Sequence, residues 1–252
     1  MPLNPEFVRP DWPAPSQVKV ATTTRLGGTS EGKFASLNMG QGPDHDPGVD
    51  ENRRAVIQSL QMKAKPRWLK QVHGSQCVDA ARVEDGVQAD ASVTFDTDNS
   101  CVIMTADCLP VVFTSIAGDR AGAAHAGWRG LVGGVLEATI AALDTPPEEL
   151  FAWIGPAISG AVYEVDAPVR DAFLHEQPQD ESAFVPNRPG HWLADLPKLA
   201  AARLNRVGIH HVSSAELCTY AEESRFYSYR RDGSTGRMAT FIWLAEDQYD
   251  LT

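Results

Sequence analysis

The sequence predicts one α+β domain with mixed and antiparallel sheets. Short β-type runs outnumber helical ones, and strands and helices do not alternate regularly, which argues against a doubly wound parallel sheet. One short turn between two such runs predicts a hairpin, and therefore antiparallel pairing. The 252 residues are enough for a sizeable core. No shift in composition marks a boundary, so we expect a single domain.

The predicted strands follow a proline-rich start. Residues 1–15 carry five prolines and are expected to lie extended across the surface. Gly, Pro, Asp or Asn bounds each β-type run, as is usual at strand ends. The predicted strands cover residues 18–24, 68–72, 91–95, 101–105, 111–116, 120–125, 151–154 and 211–214. The hairpin turn falls at residues 117–119.

Three helices are predicted from apolar residues at helical spacing. Asp50 is the expected N-cap of the first helix. The second covers residues 130–143. Asp195 is the expected N-cap of the third, which ends at Gly208.

Net charge and cysteine content limit the kinds of binding partner and the cell compartment that we expect for this chain. The formal net charge is -11, so the surface as a whole should repel nucleic acid and anionic membranes, although a local basic pocket for a small anion is compatible with it. We expect no secretory signal, and no apolar run approaches the roughly 18 residues of a membrane span. The cysteines form no C-x-x-C pair, which favours a reducing cytoplasm. They are Cys77, Cys101, Cys108 and Cys218.

Three residues close to glycine or proline are the candidate metal ligands of the chain. They are His73 in LKQVHG, Cys108 in TADCLP and His125 in AAHAGWRG. Imidazole and thiolate suit zinc or copper far better than magnesium or calcium. Three protein ligands leave a coordination position open for water or substrate, which is typical of a catalytic metal. Each is predicted at the end of a strand, so the three side chains can converge. The pattern predicts an enzyme.

The chain resembles the laccase-domain proteins over about residues 22–239. That family was first described as multicopper polyphenol oxidases, and more recently as purine nucleoside phosphorylases with adenosine deaminase activity. The resemblance implies a layered α/β/β/α arrangement, with residues 16–252 as a single catalytic laccase-like domain. It also implies that His73, Cys108 and His125 hold a metal, usually zinc. The motifs are TTRLGGTS, LNMG, LKQVHG, ADA, TADCLPV, AAHAGWRG, IGPAISG with YEV, and FYSYRRDGSTGRMA.

The resemblance implies phosphorolysis of adenosine, inosine, guanosine and methylthioadenosine, with adenosine deamination as a side activity. Deamination by a zinc-bound hydroxide would need a carboxylate that moves protons. Asp107 is the first candidate for that carboxylate and Glu164 the second. The chain lacks the H-x-E and P-C-x-x-C pattern of known zinc deaminases.

Phosphorolysis needs fixed positive charge for the phosphate. Arg25 lies in TRLGGTS, where two glycines could present backbone N–H groups to an anion. Arg129 follows His125 by four residues, and Arg230 with Arg231 lies in the aromatic run YSYRRDG. Arg25, Arg129 and Arg230 are the predicted substrate-binding residues.

Three alternatives remain open from the sequence. A copper-dependent polyphenol oxidase would use the same three-ligand site, because seven histidines without an H-x-H pair cannot build a multicopper cluster. A Cys–His hydrolase that edits peptidoglycan precursors would use Cys108 as nucleophile. A non-enzymatic binding module would hold a structural metal with a fourth ligand, such as Cys77 or His45. The oligomeric state is not predicted.

Overall fold

The structure, a computed structural model, describes residues 3–41 and 46–246, which fold around three β-sheets. The first sheet contains, in spatial order, β1 (Phe7–Val8), β2 (Val18–Thr23), β14 (Met238–Leu244), β6 (Asn99–Thr105) and β3 (Lys65–Trp68). The second contains β13 (His211–Ser214), β9 (Leu150–Ile154), β7 (Leu109–Ser115), β8 (Ala121–Ala126), β5 (Ala91–Thr94) and β4 (Cys77–Asp79). The third contains β10 (Glu164–Asp166), β12 (His191–Ala194) and β11 (Phe184–Pro186).

Both large sheets are mixed, as predicted. β3 runs parallel to β6, β4 to β5 and β13 to β9, while the other neighbouring strands are antiparallel. The predicted hairpin joins β7 to β8, and its turn contains Gly118 at φ 73°, a left-handed conformation that glycine adopts without steric cost.

The described ranges contain six α-helices, most of which pack on the outer faces of the two large sheets or on the third sheet. They are α1 (Val49–Ser59), α2 (Trp128–Val132), α3 (Val135–Leu143), α4 (Ala167–Glu176), α5 (Leu196–Arg206) and α6 (Tyr229–Asp232). In the described ranges, none of them has the length and apolar content needed to cross a bilayer.

The core has the four layers that the family resemblance implies. Val56 of α1 packs on Phe241 of the first sheet. Ile103 of the first sheet and Trp153 of the second belong to the apolar cluster between the two sheets. On the far side of the second sheet, Leu136 of α3 joins a cluster with residues of α5 and β9. The order α/β/β/α and the single α+β domain are confirmed.

Most predicted elements are present with bounds shifted by at most two residues. The strands at 18–24, 91–95, 101–105, 111–116, 120–125, 151–154 and 211–214 correspond to β2, β5, β6, β7, β8, β9 and β13. The cap at Asp195 is also confirmed, because its carboxylate accepts the Lys198 N–H at 2.9 Å. Within the proline-rich segment, β1 pairs with β2 through Phe7 and Thr23.

Three local predictions are wrong. The strand predicted at 68–72 lies at 65–68, since β3 is an edge strand, where Pro66 is tolerated. The helix predicted at 130–143 is two helices, separated at Gly133 and at Gly134, whose φ is 84°. Asp50 lies inside the first turn of α1, and Gly48 is the N-cap.

Candidate active site

Three distant parts of the chain bring His73, Cys108 and His125 together. His73 lies in the loop after β3, Cys108 between β6 and β7, and His125 in β8. Their ligand atoms all lie within 4.8 Å of one another, and Cys108 Sγ is 4.0 Å from His73 Nε2. The two imidazole rings meet edge to face with centroids 4.7 Å apart. Within residues 3–41 and 46–246, this is the one group of three or more such ligands placed to hold a metal ion.

The β7–β8 register and a glycine allow this approach. Leu109 pairs with Ala126, so Cys108 lies beside the residue that follows, Gly127. A Cβ on Gly127 would lie 2.9 Å from Cys108 Sγ and 3.1 Å from His73 Cδ2. Both distances are shorter than ordinary van der Waals contact, so only glycine fits here without displacing a ligand.

A buried carboxylate, Asp90, holds both histidines. Its Oδ1 accepts the backbone N–H of His73 at 2.9 Å and lies 2.7 Å from His125 Nδ1. Its Oδ2 accepts the N–H groups of Val72 at 3.1 Å and Gly74 at 2.7 Å. Because Asp90 binds the Nδ1 side of His125, the Nε2 atom is left to face Cys108 and a metal. Sequence reasoning did not single out Asp90, although it is the middle residue of the ADA motif.

The charges of Cys108 and His125 are coupled. Burial by itself would raise the pKa of Cys108, but hydrogen bonds and charge from His125 and His73 outweigh burial and lower it to about 6. Burial would lower the pKa of His125, but Asp90 and Cys108 raise it to about 9. Burial would likewise raise the pKa of Asp90, yet hydrogen bonds from His125 and the loop N–H groups lower it overall. The site therefore favours a thiolate, the form of cysteine that binds metals.

The donor set fits a metal with a preference for nitrogen and sulfur. Thiolate and imidazole are both zinc ligands, and a site with three protein ligands keeps a further position for water or substrate. His73 is exposed and Cys108 half-buried, so the group is reached from solvent, while His125 is fixed in the core.

Asp107 and Glu164, the predicted proton carriers, are both hydrogen-bonded. Asp107 is buried at φ 89°, and its carboxylate accepts from Thr219 Oγ1 at 2.7 Å, Ser228 Oγ at 3.1 Å and the Arg230 N–H at 2.6 Å. Glu164 lies in β10 and pairs with Arg188 at 2.7 Å. The three donors on Asp107 favour a role in anchoring α6 beside Cys108, and proton transfer by Asp107 stays a prediction.

The predicted arginines have different surroundings. Arg25 donates to the carbonyls of Ala35 and Glu223, and its guanidinium lies 4.8 Å from the Tyr227 ring centre. The adjacent Gly28 N–H donates to Ser36 Oγ, so that amide is already paired. Arg129 is exposed at the start of α2, with its guanidinium 4.3 Å from its neighbouring indole.

Arg230 reaches over a phenol ring beside the ligand group. Its guanidinium lies 4.9 Å from the Tyr163 ring centre and donates to the Glu164 carbonyl at 2.8 Å. Burial, with the charge of Cys108, raises the pKa of Tyr163 to about 12, against the opposing effect of Arg230 and Arg129. Cys108, Arg129 and Arg230 thus all lie within electrostatic range of Tyr163.

Residues 19–245 match the family described as multi-copper polyphenol oxidoreductase laccase. The chain belongs to this laccase-domain family. It is 47% identical to a protein of Pseudomonas aeruginosa named purine nucleoside phosphorylase, over 95% of this chain and 99% of the relative. It is 42% identical to purine nucleoside phosphorylase YfiH of Escherichia coli, over the same shares of both chains.

Solved structures of laccase-domain relatives have the same fold. A Neisseria meningitidis protein superposes with a TM-score of 0.92 at 47% identity, covering 95% of this chain and 99% of that one. YlmD of Geobacillus stearothermophilus superposes with a TM-score of 0.89 at 31% identity, covering 97% and 99%.

The ligand group does not match the multicopper part of the family description. Throughout the described part of the chain, no second group of three His, Cys, Asp or Glu ligands accompanies the first. His45, one suggested fourth ligand, lies outside the described residues. Cys77, the other, is half-buried in β4 and is not among the clustered ligands.

Proposed function

We propose that this protein is a metal-dependent purine nucleoside phosphorylase that uses phosphate to cleave adenosine, inosine, guanosine and methylthioadenosine. The observation that carries the proposal is the 47% identity, over nearly both full lengths, to a relative with that name. The convergence of His73, Cys108 and His125 supports the metal dependence.

We assign metal binding to His73, Cys108 and His125, and phosphate binding to Arg129 and Arg230. Zinc is the proposed metal because two imidazoles and a thiolate match its catalytic sites, and copper accepts the same ligands. When bound, zinc supplies Lewis acidity and a water of lowered pKa. Arg25, predicted from sequence to bind phosphate, has its donors on backbone carbonyls, which makes it the weakest of the three arginines.

The residues of the chain supply position and charge for phosphorolysis. The C–N bond breaks with positive charge developing on the ribose, so a phosphate must be held against that carbon. The Arg230 backbone N–H donates to Asp107, which fixes α6 next to Cys108, and the Arg230 guanidinium donates to the Glu164 carbonyl. This arrangement supports a phosphate position between α6 and the ligand group.

Adenosine deamination is the proposed side activity of the same ligand group. The lowered pKa of Cys108 supports a second candidate as well, a Cys108 hydrolase with His125 or His73 as the base that takes the thiol proton. The cytoplasm is the proposed location, which the four free thiols suit. Nucleosides and phosphate are the proposed partners, and a surface with net charge -11 favours neither nucleic acid nor anionic membranes.

The test is turnover of adenosine and inosine by purified protein of known metal content, with and without phosphate. Chromatography would follow free base, ribose 1-phosphate and inosine. We expect phosphate-dependent base release that is lost in His73→Ala and Cys108→Ala. Cys218→Ser and His175→Ala are matched controls, because Cys218 and His175 lie outside the ligand group.

The outcomes separate the candidates. No base release and no inosine from adenosine would exclude both purine activities. Covalent labelling of Cys108 by a substrate, together with activity that survives chelation, would identify the hydrolase. Oxygen consumption on phenols that depends on copper loading would identify the oxidase.

A further inference from the structure

Like Arg25, Arg231 uses all three nitrogens of its guanidinium as hydrogen-bond donors within the protein. All three of its nitrogens donate, to backbone carbonyls and to the Asp232 carboxylate. Neither arginine has a free edge for a ligand. A further arginine, Arg237 in STGRMA, is not among the residues predicted from sequence to bind substrate.

Arg237 is held beside the ligand group by the first sheet. It directly precedes β14, and the pairing of Met238 with Thr105 places it alongside the segment that leads from β6 to Cys108. Gly40, in the LNMG motif, leaves room for its stem, because a Cβ there would lie 2.6 Å from Arg237 Cγ. Two separate motifs therefore fix one arginine.

The Arg237 guanidinium is half-buried with one edge unused. Its Nη1 donates to the carbonyls of Thr235 at 2.9 Å and Gly236 at 3.0 Å. Its Nε and Nη2 atoms have no acceptor within residues 3–41 and 46–246, and no carboxylate there pairs with them. Neither atom is among the fully buried polar atoms without a partner, so both keep some solvent-accessible surface.

The charged groups that act on Arg237 belong to the ligand group and its surroundings. Burial lowers the pKa of Arg237, and the charges of Cys108, Asp107 and Tyr229 act against burial. The Asp107 charge is already met by three hydrogen-bond donors. A divalent metal on Cys108 would neutralise the thiolate, which leaves Arg237 facing the site with uncompensated positive charge.

We propose that Arg237 binds the phosphate co-substrate, with its free Nε–H and Nη2–H edge holding two phosphate oxygens beside Cys108. This inference rests on the proposed phosphorolysis. Arginine presents these two donors in the planar geometry that matches a phosphate bidentately. Arg129 and Arg230, whose charges both act on Tyr163, would then contact the same phosphate from the α2 and α6 side.

The step that this arrangement serves is a substitution without redox change. An oxygen of hydrogen phosphate forms a bond to C1′ of the ribose, and the bond from C1′ to the purine nitrogen breaks. The purine leaves with that electron pair and takes up the proton of the hydrogen phosphate. With two oxygens on Arg237, a third oxygen is free to attack.

The test compares Arg237→Gln and Arg237→Lys with Arg54→Gln in the zinc-loaded protein. Arg54 is an exposed arginine of α1 whose Nε donates to the carbonyl one turn earlier. Calorimetry would measure binding of inorganic phosphate without turnover, and kinetics would measure KM for phosphate and for inosine. Zinc content and thermal unfolding would confirm that each variant is folded and loaded.

We expect Arg237→Gln to weaken phosphate binding and raise KM for phosphate by about tenfold to a hundredfold, as for lost charge-assisted bonds. KM for inosine should stay within about twofold, since Arg237 does not hold the base. Arg237→Lys should fall between, and is the variant to use if Arg237→Gln does not fold.

Two results would overturn the assignment. One is unchanged phosphate affinity in Arg237→Gln while Arg129→Gln or Arg230→Gln loses it. The other is a wild-type protein that binds no phosphate. If the wild type binds phosphate through Arg237 but releases no base, the anion site stands and the proposed phosphorylase activity fails.

Discussion

At the scale of single residues, Asp90 organises the ligand group. One buried carboxylate accepts three successive loop N–H groups and binds His125 Nδ1. Hydrogen bonds of this kind orient metal-binding histidines and raise their basicity. Asp90 is therefore a positioning residue, whose effect reaches substrate only through His73 and His125.

Asp90→Asn should lower zinc affinity by about tenfold to a hundredfold, the usual effect of losing such a partner. The amide keeps the shape but places an N–H₂ group where a carboxylate oxygen now accepts. Competition with a chromophoric chelator would measure the zinc Kd, with exposed Asp11→Asn as the control. A Kd equal to that of the wild type would show that the carboxylate does not set metal affinity.

The four cysteines should differ in reactivity. Burial raises the pKa of Cys77 and Cys101 to about 12, so both remain neutral thiols at pH 7.5. In metal-stripped protein, iodoacetamide at pH 7.5 should therefore label Cys108 and Cys218 first, since the pKa of each is lowered and the thiolate is the nucleophile.

Zinc should protect Cys108 and leave Cys218 labelled, as read by peptide mass spectrometry. Equal labelling of Cys108 with and without zinc would argue against Cys108 as a ligand. Rapid labelling of Cys101 in folded protein would contradict its burial in β6.

At the scale of elements, the break between α2 and α3 separates the short helix that carries Arg129 from the helix that packs on the second sheet. A continuous helix over 130–143 would carry the chain past the ligand group in one direction. Gly134, at φ 84°, instead lets α3 pack on the second sheet while α2 starts directly after β8. The left-handed conformation of Gly134 therefore divides this segment into two short helices.

Gly134→Ala should destabilise the protein by about 1 kcal/mol, because a residue with Cβ is strained at positive φ. The nearest atom to that Cβ, Glu137 Oε2 at 3.6 Å, leaves room, so backbone strain is the expected cause. Urea unfolding would measure the loss. Gly133→Ala is the control for φ alone, since Gly133 has an ordinary helical φ of -72°, although its Cβ would lie 3.1 Å from the Arg129 carbonyl oxygen. A stability equal to wild type in Gly134→Ala would contradict the strained conformation.

At the scale of the whole molecule, folding and metal binding are separable. The four apolar clusters are built from residues other than His73 and Cys108, and of the three ligands only His125 is buried. Buried apolar area is the main stabilising contribution to a domain of this size. The layers should therefore persist without a metal.

Chelation should accordingly abolish base release while leaving far-ultraviolet circular dichroism unchanged. Re-addition of zinc should restore activity, with copper and magnesium as comparisons. Loss of folded structure on chelation would instead indicate a structural metal and the non-enzymatic alternative.

Local patterns were enough for much of the fold and for the ligands. Turn residues, β-type runs and the cap at Asp195 predict most elements, because short-range sterics and side-chain caps act within a few residues. The side-chain types of His73, Cys108 and His125 predict a metal site, since softness is a property of the side chain itself, and the structure brings the three together.

Tertiary structure alone decided which other polar residues belong to the site. Asp90 joins His125 across 35 residues, and the pairing of β14 with β6 places Arg237 alongside the segment that leads to Cys108. The same long-range contacts place the carbonyls that engage Arg25. Whether an arginine or carboxylate is free or already paired depends on neighbours far along the chain, and no local spacing encodes those neighbours.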